Sequence, residues 1–108
     1  METMDYGGPE RRRFFRLNYP PDARPTFKVR THELEVLEVS EKGLRFLNDK
    51  EIKLAEWVRG TITFHDGESL DLEGRIVRKE GEEIALNLIT PIPFPRILKE
   101  QRFVITKS

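Results

Sequence analysis

Residues 58–78 read VRGTITFHDGESLDLEGRIVR, which is the pattern of a long antiparallel hairpin. Apolar and polar residues alternate on both sides of Asp66-Gly67, as they do in strands that bury one face. An Asp-Gly pair between two such runs is one of the strongest short hairpin signals. We therefore predict strands at 58–65 and 69–78, with Gly74 marking a bend or bulge in the second strand.

Further strand signals lie on both sides of this hairpin. Residues 26–30 alternate apolar and charged side chains, residues 34–39 are rich in β-branched residues toward their end, and 43–47 continues the alternation after a turn. Residues 84–89 are more continuously apolar, which is typical of a strand that is buried on both faces. Six short antiparallel strands favour a small barrel, because closing the sheet removes its exposed edges.

The end of the chain predicts a short helix. Three prolines between residues 91 and 95 stop the sheet and favour a helix start. Four residues then follow the i, i+3, i+4, i+7 spacing of one helix face: Phe94, Ile97, Leu98 and Gln101. We expect this stripe to lie across an open end of the barrel. Residues 103–105 fit either a closing strand or the last turn of the helix.

The predicted fold class is therefore all-β, a small six-stranded antiparallel barrel with one short C-terminal helix. The 108 residues include 37% apolar ones, enough for the modest core of a single module. Residues 1–9 contain Gly7-Gly8-Pro9 and are predicted to be a flexible tail. Residues 10–106 are predicted to form one domain.

Composition also bears on location. No apolar run approaches the roughly 20 residues that span a bilayer, so we expect no membrane insertion. The polar, acidic start is unlike a signal peptide. The chain has no cysteine, which excludes disulfides and thiolate zinc sites and is typical of a reducing compartment. We expect a cytoplasmic protein.

No pattern in the sequence supports catalysis or metal binding. The two histidines are too few and too isolated for a metal site, and no nucleophile with a partner base is evident. Paired acids such as Glu82-Glu83 lie beside basic residues on edges that we expect to be solvated. We predict a binding protein that is not an enzyme and has neither metal nor cofactor.

The charge pattern is uneven in one place, the run RRRFFR at residues 11–16. Four guanidiniums within six positions, in a chain of zero net charge, indicate an anionic ligand. Arginine makes paired hydrogen bonds to phosphate oxygens and to the O6/N7 edge of guanine. The spacing Arg12-x-x-x-Arg16 therefore suggests a clamp for a phosphorylated ligand. A solvated basic tail is the alternative.

A second element follows about two dozen residues later, Glu38-Val39-Ser40-Glu41-Lys42-Gly43. A serine three positions before a glycine is typical of a tight turn, in which the hydroxyl satisfies backbone groups and the glycine takes a positive φ. The alternative for Ser40 and Gly43 is an ordinary turn without a ligand role. For Glu38 the alternative is a solvated strand charge.

Together these elements resemble the PilZ domain, a bacterial receptor module for the second messenger cyclic di-GMP. The family signature is an RxxxR segment followed by a [D/N]xSxxG turn. Arg12 and Arg16 match the first element, and Ser40 and Gly43 match two fixed positions of the second. Glu38 stands where the family has Asp or Asn, and its extra methylene carries the carboxylate further out. The resemblance covers nearly the whole chain.

The resemblance implies that the arginine segment lies across the outer surface of the barrel. Arg12 and Arg16 would contact the phosphates and guanines of cyclic di-GMP, which family members usually take as an intercalated dimer. Glu38 would accept from guanine N–H groups, while Ser40 and Gly43 would shape the turn and offer hydrogen bonds. Three further arginines are supporting candidates: Arg11, Arg13 and Arg78.

We therefore predict a bacterial cyclic di-GMP receptor or adaptor that couples the messenger level to a separate protein effector. One alternative is a PilZ-like adaptor that binds no nucleotide, which Glu38 favours. The other is a small-barrel module for RNA or single-stranded DNA. That alternative is disfavoured by the zero net charge and by the single aromatic pair, Phe14-Phe15, among the basic residues. Nucleic acid is not expected as a partner.

Overall fold

The computed structural model describes residues 15–107, and the predicted flexible tail at residues 1–9 lies outside this range. The described part contains seven strands, one short 3₁₀ helix and one α-helix. In chain order they are β1 (Leu17–Asn18), the 3₁₀ helix (Pro21–Ala23), β2 (Thr26–Val29), β3 (His32–Val39), β4 (Gly43–Leu47), β5 (Trp57–Thr63), β6 (Ser69–Glu80), β7 (Glu83–Leu88) and α1 (Phe94–Lys107).

Six of the strands close into an antiparallel barrel. Neighbouring strands pair in the order β2–β5–β6–β7–β4–β3, and β3 also pairs with β2. The prediction of a six-stranded antiparallel barrel with one C-terminal helix is confirmed. The extra strand β1 pairs with the last residues of β3, where Leu17 lies opposite Val39 and Asn18 opposite Glu38. This pairing brings the end of the arginine run to the outer wall of the barrel.

The β5–β6 hairpin turns where the sequence predicts. Ile62 lies opposite Leu70, and both side chains contribute to the core. Gly67 at the turn has a φ of 88°, a left-handed conformation that glycine adopts without strain. The Asp-Gly signal was therefore sufficient to place the turn.

Of the bend or bulge predicted at Gly74, the bulge is absent. Gly74 lies in regular register opposite Val58, and the irregularity comes later in β6, between Ile76 and Arg78. An added Cβ at Gly74 would lie 2.8 Å from the carbonyl oxygen of Asn87. The glycine thus permits two strands to approach closely, and the bulge has another origin.

The core fills the barrel from alternate strand positions. Phe27 and Phe46 are fully buried, and their ring centroids are 5.1 Å apart. β7 was expected to be buried on both faces, but it alternates between buried residues and more exposed ones. Ala85 and Asn87 lie on its outer face, so the apolar run in the sequence reflects a small residue on the outer wall and not a second buried face.

α1 is one helix of 14 residues that continues through residues 103–105, so these form its last turns and not a closing strand. Its buried face differs from the predicted stripe. Ile97 is fully buried, but Phe94 is 42% exposed, and Arg96 and Glu100 are buried instead. No helix in the described part of the chain is long and apolar enough to cross a membrane.

A polar cluster at the β5–β6 turn, formed by Tyr19, His65, Asp66, Arg96 and Glu100, explains why the helix buries charged residues and not the predicted stripe. The Tyr19 hydroxyl donates to Glu100 Oε1 at 2.7 Å, and His65 Nδ1 lies 2.7 Å from Glu100 Oε2. Arg96 pairs with Glu100 and with Asp66. The pKa of Tyr19 lies far above its ordinary value, mainly because the hydroxyl is buried and secondly because it donates a hydrogen bond to Glu100. Buried charges require such partners, and the helix turns its charged side inward to supply them.

Candidate ligand-binding site

A pocket of about 460 Å³ opens on the outer wall of the barrel. It lies where the end of β3, the turn that follows, β4, β7 and β6 meet. Its volume is within the range of about 300–1,000 Å³ that is usual for small-molecule sites. The lining residues are Arg16, Glu38, Ser40, Lys42, Gly43, Leu44, Arg45, Val77, Arg78, Ala85, Leu86 and Asn87.

Strand register assembles the charged part of this pocket. Asn18 lies opposite Glu38, Glu38 opposite Arg45, Arg45 opposite Ala85, and Ala85 opposite Arg78. Side chains directly opposite each other on one face have Cβ atoms about 4.5–5.5 Å apart. These five residues therefore form one row across the outer wall, with small Ala85 leaving space between the two arginines.

Two bulges shape the ends of the row. The register of β3 shifts between Val36 and Glu38, and that of β6 shifts between Ile76 and Arg78. A bulge increases the local twist and changes the direction of the side chains beside it. The residue that follows each register shift lines the pocket. It is Glu38 in β3 and Arg78 in β6.

The turn between β3 and β4 forms another side of the pocket. The Ser40 amide donates to the Gly43 carbonyl at 3.0 Å, and the Ser40 side chain is buried. Gly43 lacks the positive φ that we expected for it. An added Cβ at Gly43 would lie 2.9 Å from Ser40 Oγ, so glycine is needed here for the close contact with the hydroxyl.

Arg45 is held by three partners. Its Nε and Nη2 donate to Glu38 Oε1 at 3.2 and 3.0 Å, its Nη1 donates to Glu83 Oε1 at 2.7 Å, and its Nη2 donates to Asn18 Oδ1 at 3.1 Å. Burial alone would lower the pKa of Arg45, but the hydrogen bonds with Glu38 and Glu83 outweigh it and raise that pKa above its ordinary value. Arg45 thus ties β1, β3 and β7 to β4.

Arg16 is held much more loosely. Its Nε lies 3.8 Å from Glu38 Oε2, and 63% of its side chain is exposed. An exposed ion pair of this kind contributes about 0.2–1 kcal/mol. The guanidinium of Arg16 is therefore available to a phosphate or a guanine edge.

Two further cations line the pocket in the described part of the chain. Within residues 15–107, the side chains of Lys42 and Arg78 form no ion pair or hydrogen bond. Arg75, two strand positions before the bulge, pairs with Glu56 at 2.8 Å and does not line the pocket. Among the described residues, the pocket thus presents three available cations around the carboxylate of Glu38.

Several of the residues predicted from the sequence meet in this pocket. Those that line it are Arg16, Glu38, Ser40, Gly43 and Arg78. Those that lie outside the described residues are Arg11, Arg12 and Arg13. A ligand contact for any of these eight residues remains a prediction.

Arg45, Lys42 and the pocket floor at Ala85 and Asn87 were not predicted from the sequence. A signal for Arg45 was present, because the alternation in 43–47 places it on the same outward face as Gly43. The floor had no such signal, since residues 84–89 were interpreted as buried on both faces. In the described part of the chain, no group of three or more acidic or histidine side chains is arranged to hold a metal ion.

The fold and the pocket define a class of protein: a small antiparallel barrel with a cationic, ligand-sized pocket on its outer wall. The family model for the PilZ domain matches residues 10–104. The chain therefore belongs to the PilZ domain family. This is a family of cyclic di-GMP-binding and adaptor domains, and it is not a catalytic family. Comparisons with curated proteins and with solved structures gave no match.

Proposed function

We propose that this protein is a bacterial, cytoplasmic receptor for cyclic di-GMP that passes the signal to a separate protein effector. One observation carries the proposal: Arg16, Glu38, Ser40, Gly43 and Arg78 come from three separate parts of the chain and line one pocket. Membership of the PilZ family supports the class of ligand.

The chemistry of the pocket fits a ligand with two phosphates and two guanines. Arg16 and Arg78 bind phosphate oxygens or the O6/N7 edge of guanine through paired hydrogen bonds, with Lys42 adding positive charge. Glu38 accepts from guanine N–H groups. Ser40 and Gly43 hold the turn against the ligand. Arg12 adds a second guanidinium from the N-terminal run.

A second candidate is an adaptor that binds a protein partner and no nucleotide. The pairing of Glu38 with Arg45 favours it, because that carboxylate already has a partner within the protein. A module for RNA or single-stranded DNA has less support. Base stacking needs aromatic side chains, and the described residues that line the pocket include none.

Calorimetric titration of the purified protein with cyclic di-GMP tests the proposal. We expect saturable heat with micromolar affinity and a stoichiometry of one or two nucleotides per chain. Cyclic di-AMP is the matched control, since it carries the same phosphates without the guanine edge, and we expect it to bind at least tenfold more weakly. A folded protein that gives no heat at high micromolar cyclic di-GMP would overturn the receptor proposal in favour of the adaptor.

A further inference from the structure

Glu38 holds the only carboxylate among the described residues that line the pocket. Its two oxygens face two different guanidiniums. Oε1 accepts from Arg45 at 3.0 and 3.2 Å, and Oε2 lies 3.8 Å from Arg16 Nε. The side chain is only 18% exposed, so its position is well defined.

The two contacts differ in strength. Arg45 is fixed by Glu83 and Asn18 as well as by Glu38, so it holds the carboxylate in place, and four of its five guanidinium N–H groups are already engaged. Arg16 is mostly exposed and makes the longer contact. A ligand can therefore separate Arg16 from Glu38 far more easily than it can separate Arg45 from Glu38.

This arrangement has a direct electrostatic consequence. A phosphate that approaches Arg16 meets the negative charge of Glu38 a few ångströms away, and like charges at that distance repel. The phosphate must also replace Glu38 as the partner of Arg16. Both effects lower the affinity of the pocket for anions.

We propose that Glu38 is an internal competitor for Arg16: its carboxylate, positioned by Arg45, neutralises Arg16 in the ligand-free protein, and an anionic ligand must displace this contact. The proposal rests on the proposed function of the pocket. Glu38 thereby sets the messenger level at which the receptor responds, because it weakens binding without removing any group that binds the phosphate.

Glu38→Gln is the most direct test. Glutamine has the length of glutamate and keeps an oxygen for Arg45, but it carries no charge. We expect cyclic di-GMP to bind this variant about three- to tenfold more tightly at low salt, with the difference shrinking near 0.5 M salt as exposed charges are screened. Glu38 also accepts from guanine in the proposed complex, and losing that contact would offset the gain for cyclic di-GMP. Pyrophosphate has no guanine, so equal or weaker binding of pyrophosphate by Glu38→Gln would overturn the proposal.

Two further variants make this result specific. Glu83→Gln removes the other carboxylate bonded to Arg45, but Glu83 does not line the pocket, so we expect less than a twofold change. In an Arg16→Ala background, Glu38→Gln should lose most of its effect, because the competed group is absent. An equal gain with and without Arg16 would contradict competition for that residue.

A titration with pyrophosphate separates this inference from the proposed function. The Nε–H signal of Arg16 in nitrogen-15 NMR reports binding of this simple anion. We expect tighter binding by Glu38→Gln here as well, even if cyclic di-GMP binds neither protein; that combination would support the competitor and refute the receptor. If wild type binds cyclic di-GMP and Glu38→Gln improves neither ligand, the receptor stands and the competitor is refuted.

Discussion

At the scale of single residues, Arg16 is the described cation that we expect to contribute most to ligand binding. Arg16→Ala removes charge-assisted hydrogen bonds, which contribute about 1.5–3 kcal/mol, so we expect cyclic di-GMP to bind about ten- to a hundredfold more weakly. Calorimetry measures the change. Arg59→Ala is the control, because Arg59 is 80% exposed and does not line this pocket. Equal losses in the two variants would point to general charge attraction.

Gly43 is the second residue with a specific requirement. Gly43→Ala places a methyl group 2.9 Å from Ser40 Oγ, so we expect a loss of about 1–3 kcal/mol in the free energy of unfolding, measured with urea. Removing the hydroxyl should relieve the clash, and the double variant Ser40→Ala, Gly43→Ala should recover part of the loss. A double variant that is additively destabilised would contradict this explanation.

Residue identities in the turn could be predicted from the sequence, but their reasons and partners could not. Ser40 and Gly43 were singled out by their spacing, yet glycine is needed for a side-chain contact and not for its φ. The partners of Arg45 lie 7, 27 and 38 positions away in sequence. Such distant contacts depend on strand register, which a local pattern does not determine.

At the scale of secondary structure elements, α1 is anchored to the barrel by Ile97. Ile97→Ala leaves a cavity in the core, and we expect it to lower the free energy of unfolding by about 2–5 kcal/mol. Ile105→Ala is the matched control, because Ile105 is 63% exposed, and its effect should stay within about 0.5 kcal/mol. Urea denaturation of both variants measures the difference. Similar small effects would show that the helix is not anchored through this face.

The polar cluster at the β5–β6 turn should make the free energy of unfolding depend on pH. The hydrogen bond with Arg96 is the main reason that the pKa of Asp66 lies well below its usual range. A depressed pKa in the folded state adds stability above the unfolded pKa of about 4, and this stability is lost as the pH falls toward the folded value. We expect the urea midpoint to fall between pH 6 and pH 3, and to fall less in Asp66→Asn. An equal fall of the urea midpoint in the wild type and in Asp66→Asn would contradict a role for Asp66.

Element positions were largely predictable, whereas the orientation of the helix was not. The strands fall close to their predicted places because alternation and turn residues are local signals. The helix was predicted to bury Leu98 and Gln101 with Ile97, but it buries Arg96 and Glu100, whose partners come from the β5–β6 turn and from Tyr19. A rule based on hydrophobic spacing does not detect a buried charged pair.

At the scale of the whole molecule, barrel closure creates the pocket. β3, β4, β7 and the end of β6 lie side by side around the barrel, and β2 and β5 form the opposite wall. The closed barrel was predicted from six short strands, but the pocket also needs two bulges and the added strand β1. Neither of these features has a local signal in the sequence.

The central claim is that cyclic di-GMP binds on this outer wall. The most direct test is a titration of the nitrogen-15-labelled protein with cyclic di-GMP, in which each backbone amide is followed by NMR. We expect large shifts at Ser40, Gly43 and Asn87, with Lys28 and Thr61 on the opposite wall unaffected. Shifts centred on Lys28 and Thr61, or no shifts in a folded protein, would contradict the account.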